Sequence, residues 1–167
     1  REYGTTENLL LQEIEKPIPR KDEVLIKIHA VSINDWDYGL LRGKPFVNRL
    51  ISGIFKPGYT ILGSDIAGQI ETVGTNVKKF KSGDFVFGDL SVCGWGGFAE
   101  YTCAKENALS LKPASMSFEE AAAFPQAALL ALQGFQNTED VHQGQKVLIN
   151  GAGGGAGTFA IQIAKYF

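Results

Sequence analysis

Between residues 24 and 31 apolar and polar positions alternate, placing Val24, Ile26, Ile28 and Ala30 on one face, the period of a half-buried strand. A proline-rich, charged turn segment, Lys16-Pro17-Ile18-Pro19-Arg20-Lys21-Asp22, leads into it. Three further strands are expected. One runs over 66–73 and is closed by Gly74-Thr75-Asn76; one over 85–87 is entered through Lys81-Ser82-Gly83-Asp84; one over 98–102 is led by Gly96-Gly97. Short strands divided by glycine turns predict a barrel or sandwich rather than a parallel sheet. The segment after the first strand, Asn34 to Asp37, reads as loop.

The pattern changes near Pro113. Ser117-Phe118-Glu119-Glu120 has the spacing of a capping box, and Ala121-Ala122-Ala123 continues it as helix until Pro125 ends or kinks the run. A second helix is expected over 126–136, apolar at Leu129, Leu132 and Phe135, then a loop over 137–145 and a short apolar strand over 146–149. A glycine run follows, and a helix from near Gly157 that aligns Ala160, Ile163, Ala164 and Phe167. The expected organisation is a first domain over 1–116 and, over 117–167, the opening of a doubly wound α/β domain whose remainder is absent. A lone βα unit exposes a strand edge and an apolar helix stripe.

Composition narrows the function classes. A net charge of −2 supplies no pull toward nucleic acid or an anionic membrane surface, and no apolar run approaches the roughly 20 residues of a membrane helix. The start, Arg1-Glu2-Tyr3-Gly4, has no signal-peptide pattern and no initiating Met, which predicts a trimmed N-terminus. Two cysteines, Cys93 and Cys103, are too few for a disulfide framework and predict free thiols in a reducing cytoplasm. The 20 glycines fall in clusters, which points to turns and close backbone approaches.

The sharpest cluster is Gly151-Ala152-Gly153-Gly154-Gly155-Ala156-Gly157, placed after an apolar strand and before a helix. Such a turn aims the first free N–H groups of the helix at whatever lies in front, and a pyrophosphate supplies the matching charge and acceptors. Two registers fit the fingerprint: Ala152-x-Gly154-x-x-Gly157 and Gly151-x-x-Gly154-x-x-Gly157. A ligand-free tight turn is the competing reading. No Lys-Ser or Lys-Thr follows, so a phosphate-binding P-loop is excluded. The acidic residue that follows this fingerprint by about 20 positions falls beyond Phe167.

Several ordered blocks now resemble one family. Ala30-Val31-Ser32-Ile33-Asn34-Asp35-Trp36-Asp37 with Leu41-Arg42-Gly43, then Leu62-Gly63-Ser64-Asp65-Ile66-Ala67-Gly68 with Val73-Gly74, then 80–88 and 97–101, resemble the medium-chain dehydrogenase/reductases, nearest the zinc-free, quinone-oxidoreductase-like branch. The resemblance implies a GroES-like β-barrel substrate domain, a Rossmann domain, and an active site in the cleft. It also implies hydride transfer from NADP(H), ahead of NAD(H), to a small-molecule quinone, enone or aldehyde. A cytoplasmic homodimer follows from the same resemblance, as does a cofactor site at Asn34 and Gly151, Ala152, Gly153, Gly154, Gly155, Ala156 and Gly157.

In zinc-dependent relatives Cys stands at the place of Asn34 and His at that of Ser64. An amide and a neutral hydroxyl are poor zinc ligands, Asp65 alone cannot hold the ion, and a zinc-free protein is expected. Hydride addition then needs a hydrogen-bond donor for the growing negative charge on oxygen. Asn34 is the first candidate, a loop-capping role its alternative; Tyr38 is a possible proton donor. Asp37 is expected to tie the loop and Arg42 to pair with a carboxylate or cap carbonyls. Relatives carry a Thr that contacts the cofactor where this chain has Leu130. Two alternatives stand beside the reductase: an alcohol dehydrogenase running oxidatively, and a non-catalytic nucleotide-binding member.

Overall fold

A computed structural model describes residues 2–137 and 141–167. The described chain divides into two compact units, Arg1–Ala122 and Ala123–Phe167.

The first unit is built on one antiparallel sheet of five strands, β1 (Glu23–Val31), β2 (Asp65–Val73), β3 (Phe85–Asp89), β4 (Tyr101–Lys105) and β5 (Leu109–Leu111). Their order across the sheet is β4-β1-β2-β3-β5, so β4 and β5 form its two edges. The alternation at 24–31 does its expected work. Val24 and Ile26 lie fully buried among Ile66, Ile70, Phe80, Val86, Leu90, Ala104 and Leu109. At Ile28/Ala30 the β1–β2 register slips, leaving His29 in an irregularity where its ring stacks on Phe118 at 4.3 Å.

Helix α1 (Asp35–Arg42) and helix α2 (Val47–Ser52) lie between β1 and β2 in the chain, and α3 (Phe118–Ala122) follows β5. The Ser117–Glu120 capping box forms as its spacing predicts. Ser117 Oγ accepts the Glu120 N–H at 3.1 Å, and the Glu120 carboxylate accepts the Ser117 N–H at 2.8 Å. The cap aims Ala121 and Ala122 at Ala67 on the sheet. This explains why β2 is buried without interruption from Asp65 to Gly68: one face meets the main core and the other meets α3.

Three expectations change. The segment after Asn34 is helix, not loop. Asp35 and Asp37 occupy its first turn and Arg42 its last, complementing the helix dipole, and Gly43 closes it in a left-handed conformation. The strand expected at 98–102 is displaced to Tyr101–Lys105, because residues 97 and 98 spend their N–H groups on Gly63 and Leu62 rather than on a ladder. Residues 146–149 carry no strand: a strand needs a hydrogen-bonded neighbour, and none stands beside them among the described residues.

In the second unit α4 (Pro125–Gln136) and α5 (Gly155–Tyr166) pack together. Pro125 takes the first turn of α4, where its missing N–H costs nothing. The buried positions of these two helices are the small ones, Ala128, Ala131 and Gly157, and Phe124 meets Phe159 edge-on at 5.1 Å. Leu129 stays exposed. Of the loop expected over 137–145, residues 138–140 lie outside the described residues.

Candidate functional site

In the first unit the chemistry gathers where β1 ends, α1 begins and β2 starts. Asn34 is the N-cap of α1 and forms a capping box with Asp37. The Asp37 carboxylate accepts the Asn34 N–H at 2.9 Å through one oxygen and the Gly63 N–H at 2.9 Å through the other. Asp37 is 2 % exposed, and burial pushes its carboxyl above the ordinary value, opposed by those two N–H donors. The loop it grips is braced from behind, where the N–H groups of Gly97 and Phe98 donate to the carbonyls of Gly63 and Leu62 at 2.8 Å each.

That frame brings Asn34 beside two hydroxyls. Its Nδ2 donates to Ser32 Oγ and to Ser64 Oγ, each at 3.3 Å. Ser64 is completely buried, whereas Ser32 and Asn34 are partly exposed. Ser32 is pinned by its own N–H, which donates to the Asp65 carbonyl at 3.0 Å. The loop-capping reading of Asn34 therefore holds in altered form, since what it caps is a helix. Ser32 was not singled out by sequence reasoning. The signal available was its place two residues before Asn34 at the end of a strand, which carries both side chains toward one side.

Tyr38 shares α1 with Asn34 but stands apart from the serines. It is about half exposed, and its phenol oxygen accepts from Arg42 at 2.9 Å. The partner of Arg42 shown here is thus a phenol. Behind α1 lies a small core of Leu40, Leu62 and Trp95. Trp95 meets Tyr59 at 4.4 Å and Trp36 at 6.1 Å, with the rings tilted by 47° and 32°. It holds a left-handed backbone, φ 65°, and its buried indole N–H has no hydrogen-bond partner among the described residues.

The second unit contains the glycine loop. Gly151 adopts φ 79°, the Gly154 N–H closes the turn onto the Gly151 carbonyl at 3.0 Å, and Gly154 becomes the N-cap of α5. A Cβ on Gly157 would run into the Gly151 carbonyl and the Ala152 backbone. The geometry favours the register Gly151-x-x-Gly154-x-x-Gly157, with Gly151 making the turn and Gly157 permitting close packing. A Cβ on Gly153 would meet nothing within 4 Å among the described residues. Among the described residues no side chain caps α5, so the N–H groups of Gly155, Ala156 and Gly157 keep their lack of intrahelical acceptors. An uncapped helix start behind open glycines fits the pyrophosphate of a dinucleotide. Leu130, on α4, is 53 % exposed and brings no hydroxyl.

The Asn34 amide and the Ser64 hydroxyl are bonded to each other. An amide and a neutral hydroxyl are weak ligands for zinc.

Comparison with known proteins agrees with this architecture. Residues 20–114 match the family described as Alcohol dehydrogenase GroES-like domain. Over 169 residues the chain is 38% identical to the chloroplastic quinone-oxidoreductase homolog of Spinacia oleracea, covering 97% of this chain and 49% of that protein. It is 36% identical over 172 residues to 2-methylene-furan-3-one reductase of Solanum lycopersicum, covering 99% of this chain and 42% of that one. The solved structure of Escherichia coli quinone oxidoreductase complexed with NADPH superposes with a TM-score of 0.83 at 26% identity, covering 99% of this chain and 48% of that one. The fold and these matches define a chain built on a GroES-like domain. The chain belongs to the medium-chain dehydrogenase/reductase superfamily, in its quinone-oxidoreductase-like branch. It spans about half the length of the curated relatives it matches.

Proposed function

We propose that the full-length protein is an NADPH-dependent oxidoreductase that works without zinc and reduces a quinone, an enone or an aldehyde. The observation that carries this reading is the uncapped start of α5 behind the open Gly151–Gly157 turn, a cradle for pyrophosphate within a chain of this superfamily. The NADPH in the Escherichia coli structure supports the cofactor. The quinone and furanone activities named for the plant relatives support the substrate class. Two free thiols, Cys93 and Cys103, suit a reducing compartment and support a cytoplasmic setting.

A bound nicotinamide would supply the hydride pair. This chain's own residues have separate tasks. The backbone N–H groups of Gly155 and Ala156 hold phosphate oxygens, Gly153 and Gly154 let them approach, and the cluster at Asn34 stabilises charge on the substrate oxygen, with Tyr38 as a second donor. A second reading, nucleotide binding without turnover, is favoured by one observation, the exposed Leu130 where a hydroxyl would assist the cofactor.

The test is loss of NADPH absorbance by chelator-treated full-length protein with a small quinone, an enone and an aldehyde, NADH being run in parallel. Turnover that survives the chelator supports the proposal. NADPH bound without turnover moves the conclusion to the second reading.

A further inference from the structure

Resting on the oxidoreductase reading, the bond pattern around Asn34 raises the question of which hydrogen reaches the substrate. The Asn34 amide nitrogen donates to two hydroxyl oxygens, Ser32 and Ser64, each at 3.3 Å. The other edge of the amide is occupied with the capping box. The amide nitrogen is thus engaged by two acceptors inside the protein. Ser64 Oγ takes one of those bonds but is sealed, at 0% exposure.

Ser32 differs on both counts. It is partly exposed, its oxygen is already occupied as an acceptor, and its hydroxyl hydrogen meets no acceptor among the described residues. A hydroxyl that accepts a hydrogen bond becomes the stronger donor through its own O–H. Its backbone is fixed by the bond from its N–H to Asp65, so little reorganisation is left for the moment of reaction. Tyr38, the other donor at hand, stands half in water, where such a bond is worth less.

We propose that the Ser32 hydroxyl is the group that hydrogen-bonds the substrate oxygen, and that Asn34 is its positioning residue. When hydride adds to the substrate carbon, a C–H bond forms and the π electrons move onto oxygen; the nicotinamide is left oxidised. Ser32 O–H stabilises the oxyanion, which then takes its proton from water, so the serine itself is not consumed.

The experiment is steady-state kinetics of full-length Ser32→Ala and Ser32→Thr with NADPH and the best acceptor, together with NADPH affinity and the melting temperature. The expected result for Ser32→Ala is a kcat lower by roughly 100-fold, the loss typical of one removed oxyanion donor. NADPH affinity and melting temperature should be unchanged, and Ser32→Thr should restore kcat to within about tenfold, the threonine hydroxyl supplying the same donor. A Ser32→Ala enzyme as fast as wild type overturns the proposal. So does a slow one that has also lost NADPH affinity or melting temperature and is not rescued by threonine, because that pattern belongs to a structural role. A wild-type protein that turns over none of the acceptors defeats the oxidoreductase reading itself, an outcome distinct from either of these.

Discussion

The Gly63 N–H donates to the Asp37 carboxylate at 2.9 Å, joining the first turn of α1 to the loop that carries Ser64. The second Asp37 oxygen holds the Asn34 N–H, so one buried side chain sets the spacing of the candidate site from both sides.

Replacing it by Asn keeps one acceptor and sets an NH2 group against a backbone N–H. Leaving a buried donor unsatisfied costs about 2 kcal/mol, and the melting temperature of Asp37→Asn should fall by roughly 5 °C. The pH dependence has an unusual sign. Burial raises the folded-state value above the ordinary 3.8, so the folded chain holds this proton more tightly than the unfolded chain does. Through this group alone, stability rises as pH falls from neutrality through the raised value, the gain being complete below 3.8. The melting temperature of wild type minus that of Asp37→Asn should widen between pH 7 and pH 4. A gap that narrows on acidification would contradict the assignment.

The sequence revealed what depends on local period and spacing. Alternation at 24–31 located β1, Ser117 and Glu120 located the α3 cap, and the glycine spacing located the turn before α5. Helix α1 was hidden because Gly39 sits in its middle, a residue about 1 kcal/mol worse than Ala in a helix. Its place is tertiary, since a Cβ there would strike the Asn48 side chain. The spacing of Asn34 and Asp37 was the signal that could have found the cap. The partnership of Asn34 with Ser64 spans 30 residues and depends on how β1 and β2 pair, which no local pattern encodes. Residues 146–149 failed as a strand for a related reason, because a ladder belongs to two segments.

Trp95 combines a left-handed backbone with a buried N–H that has no partner among the described residues. Trp95→Phe removes the unpaired donor while keeping most of the ring, and the gain of about 1 kcal/mol or more offsets much of the lost packing. Its thermal stability should lie within about 1 kcal/mol of wild type. Trp95→Ala, which empties the space between Leu40, Leu62 and Tyr59, should cost about 3–5 kcal/mol. Equal losses in the two variants would mean that the indole N–H has a partner in solution.

Burial pushes the Cys103 thiol up to about 11, and it raises Cys93 as well. The thiolate is the reactive form, so at pH 8 only about one Cys103 side chain in a thousand is available for attack. Alkylation by iodoacetamide, followed by peptide mass, should be slow at pH 8 and accelerate about tenfold per pH unit below the pKa. Rapid labelling of Cys103 near neutrality would rule out this environment.

Two glycines in one loop should separate folding from ligand binding. Gly153→Ala adds a methyl group where nothing lies within 4 Å, so melting temperature should hold to within about 0.5 kcal/mol of stability. The same methyl group occupies the space through which phosphate would reach the Gly155 and Ala156 N–H groups, and NADPH affinity should fall at least about tenfold, some 1.4 kcal/mol. Gly157→Ala instead forces a Cβ against the Gly151 carbonyl and should lower melting temperature and NADPH affinity together. Isothermal titration and thermal melts of both full-length variants decide the matter. If Gly153→Ala binds NADPH as wild type does, the phosphate does not sit before this loop, and the cradle assigned to α5 is wrong.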